Sequence, residues 1–268
     1  MTTPSAPSSA ELERRLEFAV EIAREAGRST LELFESSAFE VIAKGDGTPV
    51  TQADKAAERL LRERIQARYP QDGIVGEEEE SLEGTSGYDW ILDPIDGTRS
   101  FVHGVPLYGT LVGMERGGEA VLGVIEHPAL DERVFAAKGL GATWQRASGT
   151  RPARVSATAG LGEALVCYTS APLFGTVGRT PLLEGLLATA KVTRGWSDCY
   201  AHLLVATGRA DAVVEPEMAV WDCAALLPVL EEAVGAFTNL AGERSIRGPG
   251  ALASNGRLHA ELVRLATG

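Results

Sequence analysis

The sequence predicts a mixed fold, α+β in its first half and α/β in its second. Three observations carry this. Apolar residues recur at helical spacing in two early segments. Gly109 to Trp144 reads as short apolar strands punctuated by glycine, and the second half alternates strand and helix patterns. The first two imply a mostly antiparallel sheet behind two helices; the third implies an α/β layer.

Residues 1–9 read as a disordered tail, with neither the basic nor the apolar region of a signal peptide. Ser8-x-x-Glu11 has the form of a capping box. Leu12, Leu16, Ala19, Ala23 and Ala26 then recur at spacings of four and three, predicting an amphipathic helix to about Phe34. Lys44 to Asp54, KGDGTPVTQAD, is a polar loop or hairpin whose glycines suit a lid. A second helix carries Ala57, Leu61 and Ile65 on one face and ends near Tyr69-Pro70. GIVGEEEE and YDWILDP are apolar runs that each stop at acidic residues. Strand pairs are expected in GTLVGMERGGEAVLGVIEHP, turning at Gly117-Gly118, and in RVFAAKGLGATW. Ala147 to Ser156 reads as a linker between halves 10–150 and 151–268. Beyond it EALVCYT, ADAVVE and ALASN read as strands. TPLLEGLLATA, SDCYAHLLVATG, WDCAALLPVLEEAVG and RLHAELVRLA read as helices, with Gly208 and Gly235 as C-caps and Pro228 as a kink.

With 268 residues, 44% of them hydrophobic and 23% charged, the composition is that of a globular protein. No apolar run approaches the roughly 20 residues that span a bilayer. A formal net charge of −12 argues against nucleic acid, which needs a basic footprint. An anionic substrate stays open if bound cations intervene. Cys167, Cys199 and Cys223 form no CxxC pair and read as reduced core residues of a cytoplasmic protein.

The acids carry the functional signal. Asp54 begins the second helix, Glu77 follows a strand, Asp93 and Asp96 flank Pro94-Ile95, and Asp222 lies one residue into a helix. Singly, each has a structural explanation: a helix cap, a solvated loop, or a turn. Jointly they suit a hard divalent cation, which takes carboxylate and carbonyl oxygens. Proline fixes one torsion of Asp-Pro-Ile-Asp, so such a turn can aim both carboxylates and the Ile95 carbonyl into one space. The Gly97 and Thr98 amides would then form an anion cradle beside it. Cations beside an anion cradle suggest phosphoryl chemistry.

VTQAD, GIVGEEEE, WILDPIDGTRSF and WDCAAL together resemble the inositol monophosphatase superfamily of Mg²⁺-dependent, lithium-sensitive phosphatases. GVIEHPALDERVFAAKGLGA is similar to that family's middle region, and the resemblance covers nearly the whole chain after residue ten. It implies a layered α-β-α-β-α sandwich of the sugar-phosphatase type. By position it implies Glu77, Asp93 and the Ile95 carbonyl as ligands of one metal, and Asp93, Asp96 and Asp222 as ligands of a second. It gives Glu77 a further part in holding a weaker third ion and the attacking water. Asp54 and Thr98 match the pair that polarises that water, and the Gly97 and Thr98 amides match the phosphate binders. The implied cofactor is Mg²⁺, about two to three ions, with Mn²⁺ as a substitute. The implied reaction is in-line attack of water on a phosphate monoester without a phosphoenzyme. The implied assembly is a homodimer. No ligand position is substituted, so an active enzyme is expected.

The alcohol should be read by the second half. Arg-Gly-x-x-Asp-x-Tyr, then LLVATGRAD and Glu-Pro, is similar to histidinol-phosphate phosphatases of the same superfamily. That similarity implies Asp198 and Glu215, with Arg194, as substrate contacts, and the two carboxylates would pair with a cationic alcohol. If Asp198 only caps its helix and Glu215 sits in an unrelated loop, an inositol-type or broad specificity survives. A 3′-phosphoadenosine 5′-phosphate or fructose 1,6-bisphosphate phosphatase would lean on Arg194 and Trp196. A non-enzymatic metal or phosphate binder would have no use for the Asp54-Thr98 pair. His103 lies near the acidic turn, within reach of solvent or substrate.

Overall fold

The computed structural model describes residues 8–36, 41–43, 49–196 and 198–268. Most of the expected tail, the centre of the expected Lys44 to Asp54 loop (44–48) and Ser197 lie outside the described residues.

Helix α1 spans Ser9–Ser36, and the Ser8 hydroxyl accepts the Glu11 amide at 3.2 Å, one half of the capping box. Strands β1 (Val41–Ala43) and β2 (Pro49–Thr51) pair antiparallel, and α2 (Gln52–Arg68) follows directly. Next come β3 (Gly73–Gly76), β4 (Tyr88–Asp96), the short α3 (Thr98–Val102), β5 (Gly109–Arg116), β6 (Glu119–His127), β7 (Glu132–Ala137), β8 (Gly141–Arg146) and β9 (Gly149–Pro152). These strands form a seven-stranded sheet in chain order. Only β3–β4 is parallel; the later pairs are antiparallel. Strand β9 falls inside the stretch read as a linker. It is a fully exposed edge strand ending in proline, so it has no buried face to write a period of two into the sequence.

The second half holds β10 (Leu165–Cys167), α4 (Ala171–Thr176), α5 (Thr180–Thr189), β11 (Val192–Arg194), α6 (Asp198–Ala206), β12 (Ala212–Glu215), α7 (Val220–Ala224), α8 (Leu226–Glu232), β13 (Ala236–Thr238), β14 (Ala251–Ser254) and α9 (His259–Thr267). Its five-stranded sheet has the order β11-β10-β12-β14-β13. Strand β10 is parallel to β11 and β12, and β14 is antiparallel to both its neighbours. The three-residue strands β11 and β13 and the helix α4 had no readable period. The expected helix over WDCAALLPVLEEAVG breaks at Ala225 into α7 and α8. Pro228 explains the break: it offers no amide to the Ala224 carbonyl and its ring crowds that carbonyl. The expected glycine cap at 235 is displaced by one residue. Val234 takes the left-handed conformation (φ 68°), while Gly235 is needed because a Cβ there would sit 2.7 Å from the Ser254 carbonyl oxygen.

The layers follow from which face each strand buries. Trp90, Leu92, Val112, Met114 and Val124 pack against Ala19, Ile22, Leu61 and Ile65 of α1 and α2. Ile91, Leu111, Ile125 and Val134 point the other way, into a core shared with α6, α7, α8 and the second sheet. The outer face of that sheet buries Val166, Val214 and Leu252 against α5 and α9. The result is the expected α-β-α-β-α sandwich. Its central contact is made possible by the cross-strand pair Gly113↔Gly123, where added Cβ atoms would meet Ala224 and Ala225 at 2.6 and 2.0 Å. The α7–α8 break therefore rests directly on β5 and β6, which carries Asp222 to the end of β4.

Candidate active site

Two aspartates three apart on a regular strand would face opposite sides. Here Asp93 pairs with Leu111 and Asp96 with Gly109, three residues on β4 against two on β5. The extra residue is a bulge at Pro94-Ile95, a device that re-aims side chains. The Thr110 hydroxyl donates to the Pro94 carbonyl at 2.9 Å, and the Ile95 amide donates to Asp93 Oδ1 at 3.1 Å. Asp93 and Asp96 thus converge, and Asp222 joins them: one oxygen from each lies within 4.8 Å of the others. Asp222 is held by the Ala219 amide, which donates to its Oδ2 at 2.7 Å.

Asp54 divides its two oxygens between jobs. Oδ2 accepts the Thr51 amide at 2.8 Å and the Thr51 hydroxyl at 2.6 Å, so the N-cap of α2 is Thr51 and Asp54 is the third helical residue of its capping box. Oδ1 faces the Thr98 hydroxyl at 3.4 Å, and that hydroxyl lies 3.1 Å from the Ile95 carbonyl oxygen. Gly97 turns the chain into α3 with φ 82°, a left-handed value that glycine adopts without strain. Glu77 follows β3, half-buried, and its charge acts on Asp54, Asp93 and Asp222.

A second group of carboxylates adjoins the first. The Cys199 amide donates to Asp96 Oδ2 at 2.5 Å, and the Asp198 amide donates to Thr169 Oγ1 at 2.9 Å. Thr169 in turn donates to Glu215 Oε1 at 2.7 Å. Asp198 sits in a left-handed conformation (φ 55°), and its Oδ2 lies 2.9 Å from where a Cβ on Gly97 would be. Arg194 is not joined to this group: it is exposed, and its guanidinium donates to the neighbouring Thr193 carbonyl at 2.8 Å. His103 is exposed too, with Nδ1 2.8 Å from the Arg99 carbonyl oxygen. Trp196 is exposed two residues before Asp198.

This crowding shows in the acidities. Burial, then the charges of Glu77, Asp96 and Asp222, pushes Asp93 well above the carboxylate range. Burial, then Asp198 and Asp222, does the same to Asp96. Burial is the main cause that raises Asp222 to about 7, Glu215 to about 8, and Asp54 upward. The donor set is all oxygen, and no cationic side chain is paired with Asp93, Asp96 or Asp222 among the described residues. Such a cluster fits a hard divalent cation, whose charge would lower the Asp93, Asp96 and Asp222 carboxyls again.

Two contributors had no place in the sequence reading. Thr51 was readable as the cap of a T-x-x-D box before α2. Thr169 was not, because its partners are 29 and 46 residues away and only the sheet brings them together.

The sequence profile described as "Inositol monophosphatase family" matches residues 11–267. The chain belongs to the inositol monophosphatase family. This is a group of metal-dependent phosphatases, and the chain is accordingly a phosphomonoesterase. It is 42% identical to a histidinol-phosphatase of Chlorobaculum parvum, over 92% of this chain and 95% of that one. It is 37% identical to an inositol-1-monophosphatase of Rhizobium meliloti, over 81% of this chain and 82% of that one. Among solved structures, the extragenic suppressor protein suhB of Bartonella henselae superposes with a TM-score of 0.88 at 29% identity, covering 95% of this chain and 98% of that one.

Proposed function

We propose that the chain is a Mg²⁺-dependent phosphatase acting on L-histidinol phosphate. The observation that carries the substrate is the second pair of acids, Asp198 and Glu215, with Thr169 tying the Glu215 carboxylate to the Asp198 backbone amide beside the Asp93-Asp96-Asp222 cluster. A metal site has no need of these two acids, whereas an alcohol bearing an ammonium does. Burial holds Glu215 at about 8, so it ionises near neutrality when a cation is placed beside it. The identity to histidinol-phosphatases points the same way. A polyol phosphate is the second reading, favoured by the inositol-1-monophosphatases among the relatives.

In this reading Glu77, Asp93, the Ile95 carbonyl, Asp96 and Asp222 hold about two to three Mg²⁺ ions, with Mn²⁺ as a substitute. Cations held there would supply neutralising charge to the phosphate and lower the pKa of a water. The Gly97 and Thr98 amides hold phosphate oxygens and set the ester in line with that water. The Thr98 hydroxyl accepts a proton from the water as it passes its own to Asp54 Oδ1, and burial has already made that carboxylate a stronger base than usual. The Thr51 bonds fix Asp54 by its other oxygen, so Oδ1 stays aimed at Thr98. The proposal extends to lithium inhibition and a homodimer, which rest on the family resemblance, and to a cytoplasmic location, which rests on the three free buried cysteines. The two halves, 10–150 and 151–268, would divide the labour between metal and alcohol, with Arg194 at most a peripheral contact.

The test is phosphate release from L-histidinol phosphate, inositol 1-phosphate, fructose 1,6-bisphosphate and 3′-phosphoadenosine 5′-phosphate, with Mg²⁺ and with chelator. Release that collapses in chelator is expected. Equal rates in both would overturn the metal chemistry.

A further inference from the structure

Glu58 and Arg62 lie on α2 at four-residue steps beyond Asp54, both buried, and neither belongs to the carboxylate cluster. A buried ion pair in a helix ordinarily weakens a fold as often as it helps, so the contacts of this pair matter. Arg62 Nε donates to Glu58 Oε1 at 2.8 Å. Glu58 then accepts two backbone amides, Glu78 at 2.8 Å and Glu79 at 3.1 Å. Arg62 spreads its other two nitrogens over the Glu79 and Glu80 carbonyls at 2.9 and 3.0 Å. Four bonds thus run from two side chains of one helix to three consecutive residues of the acidic loop. Gly76 completes the fit, because a Cβ there would lie 2.1 Å from Glu58 Oε1 and 2.7 Å from an Arg62 nitrogen.

The residue framed by Gly76 and Glu78 is Glu77. We infer that Glu58 and Arg62 are positioning residues for Glu77: they clamp the loop that carries it and lock it to the same rigid helix that carries Asp54. The stripe Asp54, Glu58, Arg62 makes one face of α2 a rail. Its first residue meets Thr98 and its next two grip the Glu77 loop. The water-polarising pair and a metal-bearing loop are thereby fixed relative to each other, although they lie on separate segments. A charge pair suits this task better than apolar packing, because the loop offers bare amides and carbonyls that burial would leave unsatisfied.

The inference rests on the proposed role of Glu77 as a metal ligand, and the experiment separates the two. Mn²⁺ affinity is measured by titration calorimetry, alongside the thermal midpoint in chelator, for wild type, Glu58→Gln, Arg62→Lys and Glu77→Gln. Loss of a group that orients a ligand typically weakens metal binding 10–100-fold, and about that loss is expected for Glu58→Gln in protein that is still folded. Arg62→Lys keeps the charge beside Glu58 but loses the carbonyl fork, and should weaken Mn²⁺ about 10-fold; it carries the same test if Glu58→Gln fails to fold. A purely structural pair would lower the thermal midpoint and leave the Mn²⁺ affinity of folded protein unchanged, which overturns the inference. Unchanged affinity in Glu77→Gln would instead overturn the ligand role on which it stands.

Discussion

Replacing Asp96 by Asn should stabilise the metal-free protein while destroying its activity. Asn keeps the shape and can still accept the Cys199 amide, so the main change is one negative charge. One oxygen of Asp96 lies within 4.8 Å of oxygens of Asp93 and Asp222. At an effective dielectric of about 20, two full charges at that distance repel by roughly 3 kcal/mol. The cluster relieves part of this by taking up protons, because Asp93 and Asp96 itself are pushed well up and Asp222 sits at about 7. What remains near pH 7 is on the order of 1–3 kcal/mol, or roughly 2–5 °C in thermal midpoint for a chain of this size. Calorimetry in chelator should therefore find Asp96→Asn melting above wild type. Added Mg²⁺ should reverse the order, since binding at about a thousand times the dissociation constant stabilises wild type by about 4.1 kcal/mol. Phosphate release should fall by roughly two orders of magnitude or more. A variant that melts lower in chelator, still gains from Mg²⁺ and keeps full activity would refute the placement of Asp96 at a cation site.

Thr169→Val removes the hydroxyl that joins Asp198 to Glu215; KM for L-histidinol phosphate should rise about 10-fold with a smaller change for inositol 1-phosphate, and Thr169→Ser should restore it. Gly97→Ala forces a Cβ into a left-handed position and to within 2.9 Å of Asp198 Oδ2, so steady-state kinetics should show both kcat and KM damaged in a protein that still folds. His202 is fully buried, its two ring nitrogens have no hydrogen-bond partner among the described residues, and burial lowers it to about 3. A base depressed from 6.5 contributes stability that is present above pH 6.5 and lost as pH falls toward 3, by about 2 kcal/mol at pH 5. The difference in urea unfolding free energy between wild type and His202→Phe should shift by that amount between pH 7 and pH 5; a pH-independent difference would count against it.

The sequence announced most of this architecture because burial writes periodicity into it. Trp90, Ile91 and Leu92 alternate between two cores, and Ala19, Leu61 and Ile65 mark helical faces. Where no face is buried, nothing was legible: the exposed strand β9 passed for a linker. Val234, taking the left-handed turn expected of Gly235, shows the limit of cap rules when a strand must pass close by. The acids of the site were legible as residue types at element ends. Their convergence was not, since it depends on the one-residue bulge at Pro94-Ile95 and on the paired glycines under Ala224 and Ala225. Arg194 shared a segment with Asp198 but ends facing solvent, because β11 closes with its side chain outward. Nothing local in the sequence distinguishes the two.

The central claim is that Asp198 and Glu215 turn a metal-dependent phosphomonoesterase toward a cationic alcohol. The most direct test is the ratio of kcat/KM for L-histidinol phosphate to that for inositol 1-phosphate, measured on the wild-type protein at saturating Mg²⁺. A ratio well above ten is predicted. A ratio below one would contradict the account and assign the site to a polyol phosphate.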